Sequence, residues 1–221
     1  MPVNDPATSQ SSPGIAFNEQ DRAWWVALEQ RVAESVVDLA PYGFVLAPRP
    51  YERGWTDEAR CHLRPGVAEA LARARDALPA EHNFKILDAH RPWSIQQKYA
   101  ERSESRIRDA HPDWSDEQVR EHLWRMAPPA RVVSRLASHR YGGAVDLMVL
   151  GPHGRELNMG VPAGYVGGAE SYLLHYELRD ELDGDERLFR DNRRVLIRAM
   201  QAAGFQPYLP EFWHWGYDRD L

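Results

Sequence analysis

Two short stretches of the chain carry side chains able to do chemistry. The first is Ser138-His139-Arg140-Tyr141-Gly142-Gly143-Ala144-Val145-Asp146, which sets a histidine on a glycine-containing approach and an aspartate inside an otherwise apolar run. Period-two alternation puts Val145 and Leu147 on one face of a strand and Asp146 and Met148 on the other. A carboxylate buried in such a strand is costly unless it is paired or bound to a cation. The second stretch is Glu211-Phe212-Trp213-His214-Trp215, a glutamate and a histidine among three aromatics.

Together the two stretches offer two imidazoles and a carboxylate as ligands, with Glu211 left over. Catalytic zinc takes three protein ligands and keeps a position open for water. A neighbouring glutamate can act as general base toward that water. The plain alternative is that Asp146 caps a turn, Glu211 is exposed, and both histidines bond to backbone. Spacing alone leaves both open, because short His/Asp patterns recur by chance. A histidine/carboxylate set can also hold iron for oxygen chemistry. Glu211 and His214 are three apart and would face opposite sides of a regular strand. Glu211 must therefore come from the loop after Pro210, or a bulge must re-aim it. Of the other histidines, His62, His82, His111, His122 and His153 stand beside charged, Pro or Gly residues and read as surface groups. His175 sits in the apolar run Tyr172–Tyr176 and reads as a packing residue.

The elements that must position these groups are helices and strands without regular βαβ alternation. Trp25, Leu28, Val32, Val36 and Leu39 recur at steps of three and four, which predicts a helix from Asn18 to about Leu39. A second helix follows Pro65, with Val67, Leu71, Ala74 and Leu78 inward. Asn83 to Ala89 reads as a strand, and Pro92 opens a helix to about Arg102. Ser115 with Gln118 is a capping box for a helix from Asp116 to Met126. Gly143 to Leu150 reads as a strand, followed by a turn at residues 151–154. A charged helix from Asp185 to Ala203 ends at Gly204, and residues 205–217 finish as one or two strands. This mixture predicts an α+β fold, a single domain with a central antiparallel sheet flanked by helices, over residues 18–221. Residues 1–17, rich in Pro, Ser and Gly, read as a flexible leader.

Composition narrows the function. The chain has 221 residues and a formal net charge of −6, which argues against nucleic acid or an anionic membrane surface as partner. No apolar run approaches the ~20 residues that span a bilayer, and residues 1–12 have no signal-peptide character. One cysteine, Cys61, excludes an internal disulfide framework and reads as a small hydrophobe. A cytoplasmic protein is the expectation; the oligomeric state is left open.

The ordered pattern Ser-His-x-x-Gly-x-Ala-x-Asp, then Glu-x-Trp-His far downstream, resembles the LAS metallopeptidases. That group includes lysostaphin-type enzymes, D-alanyl-D-alanine peptidases and the hedgehog signalling domain. The likeness is strongest to the vancomycin-resistance-type D-alanyl-D-alanine dipeptidases and covers roughly residues 45–218. Asp88-Ala89-His90-Arg91-Pro92, Asn158-Met159-Gly160, Asn192-Arg193-Arg194 and Gly204-Phe205 add to it. The resemblance implies a LAS/hedgehog-like fold and one Zn2+ per chain, held by His139, Asp146 and His214. It implies Glu211 as general base and acid, Arg91 as the cation that stabilises the oxyanion, and Ser138 as a contact for the substrate carboxylate. The implied activity is hydrolysis of a small dipeptide, foremost D-Ala-D-Ala.

Two positions depart from that pattern. The dipeptidases follow Met-Gly with a Phe-Asp whose carboxylate receives the substrate's free amine, whereas Gly164 stands in that place here. His90 replaces the tyrosine before the arginine. An ammonium entering a dry pocket without a carboxylate would be poorly solvated. Hydrolysis of a different modified dipeptide or biosynthetic amide is thus the first alternative, and a non-catalytic zinc-binding module the second.

Overall fold

The computed structural model describes residues 36–126, 138–165 and 168–217. In chain order these form β1 (Val37–Asp38), β2 (Val45–Leu46), α1 (Arg49–Glu52), β3 (His62–Leu63), α2 (Pro65–Asp76), β4 (Asn83–Asp88), α3 (Trp93–Ala110), α4 (Asp116–Met126), β5 (Ala144–Leu150), α5 (Gly184–Ala202), β6 (Gln206–Pro207) and β7 (His214–Gly216). Short 3-10 turns punctuate them, including one at His139–Tyr141. The architecture is α+β with two open sheets. The expected leader and most of the expected first helix lie outside the described residues.

The main sheet has the order β2-β4-β5-β7-β6. Three of its pairs are antiparallel, as expected, but β2 runs parallel to β4. The expectation of a purely antiparallel sheet is corrected here. Between β2 and β4 the chain passes through α2, and a helical crossover of this kind returns a strand in the same direction. β1 and β3 form a separate antiparallel ribbon, with Val37 opposite Leu63. The end of the expected first helix is thus a strand, because β-branched Val37 pairs with β3 instead of continuing a helical stripe.

Local signals account for three of the five helix starts. Pro65 opens α2, where its missing N–H costs nothing. Ser115 and Gln118 form the reciprocal cap of α4: the Gln118 amide donates to Ser115 Oγ at 3.3 Å and the Ser115 amide to Gln118 Oε1 at 2.9 Å. Asp183 and Glu186 do the same for α5. α3 runs on past Arg102 to Ala110 and packs with α4 around Ile107, Val119 and Leu123.

The core lies between the sheet and α2 with α5. Phe84, Ile86, Val145, Leu147, Val149 and Trp215 share it with Val67, Leu71, Leu196 and Met200, all essentially without exposure. All seven residues of β5 are buried, so this strand has no solvent face. Cys61 belongs to the same core as a buried free thiol. Among the described residues no helix is long and apolar enough to cross a membrane.

Candidate metal centre

β5 is the middle strand of the sheet, and its neighbours align three polar residues across it. Asp146 lies opposite Asp88 of β4 and opposite His214 of β7. Directly opposed residues share a face, so a row of Asp88, Asp146 and His214 forms on one side of the sheet. The register of β4 slips between Ile86 and Asp88. That bulge sets Asp88, rather than apolar Leu87, opposite Asp146. His139 reaches the same place from the 3-10 turn that leads into β5. Gly142 ends this turn at φ +61°, and a Cβ there would stand 3.2 Å from the Arg64 backbone nitrogen, so the turn accepts only glycine without strain.

Three ligand atoms converge there. His139 Nε2 lies 3.1 Å from Asp146 Oδ1 and 3.1 Å from His214 Nδ1, and His214 Nδ1 lies 3.0 Å from Asp146 Oδ1. His139 and Asp146 are buried, 4% and 5% exposed, and His214 is half-buried. A tetrahedral ion with bonds of about 2.0–2.1 Å holds its ligand atoms about 3.3 Å apart, close to this triangle. The tautomer of His139 sharpens the fit. Its Nδ1 lies 2.7 Å from the Ala89 carbonyl oxygen, which can only accept, so Nδ1 carries the hydrogen. In the neutral ring, Nε2 then turns a lone pair toward the carboxylate oxygen. A single proton relieves one edge of such a triangle, whereas a cation at its centre satisfies all three. The group fits a divalent ion.

The surroundings fix the ligands. Arg91 donates from Nη2 to Asp146 Oδ2 and from Nε to Asp88 Oδ2, both at 2.9 Å. The Tyr99 hydroxyl donates to the same Asp88 oxygen, and the Arg91 guanidinium carbon stands 4.0 Å from the centre of the Tyr99 ring. The Arg91 amide also donates to the His139 carbonyl at 2.9 Å. Outer partners of this kind hold a ligand's orientation. Burial opposes the charge on Asp146, but the close imidazoles of His139 and His214, together with Arg91, outweigh it and hold the carboxyl well below the usual range. Burial likewise opposes the charge on Arg91, and Asp88, Tyr99 and Asp146 more than restore it.

Glu211 comes from the turn before β7, not from the strand. Its amide donates to the Tyr208 carbonyl, and its own carbonyl accepts from the His214 amide. The loop origin required by the three-residue spacing is thus observed. Burial first, then the charge of Asp146, pushes the Glu211 carboxyl up to about 7, against the pull of His214 and Arg91. Phe212, Trp213 and Trp215, which follow it in sequence, are buried, and Trp215 Nε1 donates to the Phe212 carbonyl at 3.0 Å. Ser138 stands at the start of the 3-10 turn, its hydroxyl buried and without a hydrogen-bond partner among the described residues. Of the six expected site residues, His139, Asp146 and His214 meet, Arg91 bonds to Asp146, Glu211 lies in the turn leading to His214, and Ser138 immediately precedes His139.

Several contributing groups were not singled out from sequence. Asp88 obeys the same rule that marked Asp146, a carboxylate at the end of an apolar strand, and was legible on that ground. Tyr99 and the Ala89 carbonyl carried no signal. A cavity of about 360 Å³ lies against the same strand end, lined by Glu58, Cys61, His62, Asp88, Ala89 and His90 among others, but by none of the three clustered residues. Neither a scan against protein-family models nor a search of curated proteins finds a match to the chain.

Proposed function

We propose that the chain is a zinc-dependent amide hydrolase of the LAS metallopeptidase kind, cleaving a small dipeptide or a related amide with water. The observation that carries this reading is the meeting of His139 Nε2, His214 Nδ1 and Asp146 Oδ1 at 3.0–3.1 Å, with half-buried Glu211 close enough to feel the charge of Asp146. His139, Asp146 and His214 would hold the ion. When bound, zinc supplies a Lewis acid for the scissile carbonyl and lowers the pKa of its water.

The chain's own residues divide the remaining work. Glu211 takes a proton from the attacking water and returns it to the leaving amine as the C–N bond breaks and the new C–O bond is kept. A carboxyl near 7 suits both halves of that transfer. Arg91 uses Nε and Nη2 on Asp88 and Asp146. Among the described residues no hydrogen bond uses its Nη1, which remains for the developing oxyanion, a contribution of about 3–4 kcal/mol in comparable sites. The unpartnered hydroxyl of Ser138 is available to donate to a substrate carboxylate.

D-Ala-D-Ala is the substrate that the resemblance favours. A second reading, an amide without a free amine, is supported by the surroundings of Gly164, where an arginine rather than a carboxylate stands: a Cβ on Gly164 would lie 2.8 Å from Arg49 Nη1. Amine release from D,D-, L,D- and L,L-dipeptides, with and without a blocked amine, tests both. Release that stops with a chelator supports the hydrolase. Release that survives one, or none from any member, contradicts it.

A further inference from the structure

Two arginines stand at one corner of this site, and among the described residues neither is in an ion pair. Arg49 and Arg53 lie one turn apart at α1 and its end. The Arg53 guanidinium carbon stands 4.9 Å from the ring centre of Trp55 and 5.1 Å from that of Tyr99, the ring that also carries Arg91. In the other direction, Arg49 Nη2 donates to the Ala163 carbonyl at 2.6 Å. Arg193 holds the carbonyls of Met159, Glu170 and Tyr172, and its guanidinium carbon lies 4.5 Å from the ring of Phe212, the residue after Glu211. Arg53 thus stands on the ring that carries Arg91, and Arg49 reaches the residue before Gly164.

Among the described residues no carboxylate lies within ion-pairing distance, 4.0 Å, of Arg49, Arg53 or Arg102. Arg53 Nη1 is buried with no hydrogen-bond partner among them, and a buried donor is nearly always paired. Burial makes the cationic form of Arg53 harder to hold; Tyr99 and Asp88 offset this in part, and the charges of Arg49 and Arg102 add to it. In a chain of net charge −6 such a concentration has no general electrostatic origin. A bound anion relieves all of it at once.

We propose that Arg53 and Arg49 form a subsite for a carboxylate on the acyl side of the substrate, in the place where an amine-receiving acid is missing. The proposal rests on the hydrolase reading above. The substrate class is then an N-acyl amino acid or related amide whose acyl chain ends in a carboxylate. Water cleaves R–CO–NH–R′ to R–COO⁻ and H₃N⁺–R′, and no other reactant is consumed.

Three matched amides test the subsite: N-succinyl-, N-butyryl- and β-alanyl-alanine, in both enantiomers, with the zinc-loaded protein. The succinyl compound is expected to be hydrolysed with a kcat/KM at least 10-fold above the butyryl one, and the β-alanyl compound least well. Arg49→Gln and Arg53→Gln are each expected to bring the succinyl-to-butyryl ratio toward one. Calorimetric titration of metal-free protein with N-succinyl-alanine supplies an independent readout, with saturable binding weakened at least 10-fold by Arg53→Gln. Hydrolysis of all three amides without preference, together with binding insensitive to both substitutions, overturns the subsite and leaves the hydrolase standing. Arginine-dependent binding with no hydrolysis of any amide upholds the subsite and overturns the hydrolase.

Discussion

Arg91 grips Asp146 by the oxygen that the imidazoles do not use: its Nη2 lies 2.9 Å from Oδ2, while Oδ1 faces His139 and His214 at 3.1 and 3.0 Å. The guanidinium fork is anchored in turn by Asp88, so the plane of the ligand carboxylate is set from behind. An arginine in this position would support a bound ion as well as the proposed oxyanion. Arg91→Ala is expected to weaken zinc affinity about 10–100-fold, the usual cost of losing such a partner. Arg91→Lys, which lacks the two-pronged fork, is expected to recover only part of it. Competition with a chelator of known affinity measures both; unchanged affinity in Arg91→Ala would show that Asp146 needs no support.

Glu211 supplies no ligand atom to the cluster. Glu211→Gln is therefore expected to keep one equivalent of zinc while amide hydrolysis falls by about 10²–10⁴, the range for losing a general base. Parallel metal analysis and initial rates separate the two properties. Loss of the metal with the activity would make Glu211 a ligand instead.

His90 gives the folded chain a pH dependence of its own. Burial, then the nearby His62, lowers its pKa from 6.5 to about 4. The unfolded chain therefore binds the proton first, and the contribution of neutral His90 is complete above about pH 6.5 and lost as the pH falls toward 4. A displacement of this size corresponds to about 3 kcal/mol at most. Urea unfolding of the native chain and of His90→Gln, compared between pH 7 and 4.5, is expected to show the difference between them shrinking in acid. Two curves that stay parallel would assign the acid loss to other groups.

Arg193 is 1% exposed and has no carboxylate within ion-pairing distance among the described residues. Its guanidinium donates instead to the carbonyls of Met159, Glu170, Tyr172 and Leu173. Arg193→Met would strand these acceptors, and one charged hydrogen bond is worth about 1.5–3 kcal/mol. A loss of at least about 3 kcal/mol is expected, or roughly 6–12 °C in the thermal midpoint for a chain of this size. A shift under 2 °C would mean that water replaces the guanidinium without cost.

Much of the centre was legible because its members break local rules. Asp146 is conspicuous as a charge in an apolar strand, and the distance of three from Glu211 to His214 calls for a loop or a bulge, of which the loop is observed. The box at Ser115 and Gln118 and the proline at the head of α2 mark helix starts by backbone chemistry alone. Other features depend on partners far along the chain. Asp88 meets Asp146 only because of the bulge at the end of β4, Val37 becomes a strand because Leu63 lies opposite, and Arg49 finds Ala163 across 114 residues. The parallel pairing of β2 with β4 follows from a crossover, for which periodicity carries no signal. α3 outruns its expected end because its last turns need bury only Ile107 against α4.

Titration calorimetry of the metal-free chain with zinc bears on all of this most directly. One equivalent per chain is expected for the native sequence, and no tight binding after the near-isosteric changes Asp146→Asn or His214→Gln. A native chain that takes up no zinc, or variants that bind it as tightly as the native chain, would contradict a metal centre built on β5 and β7.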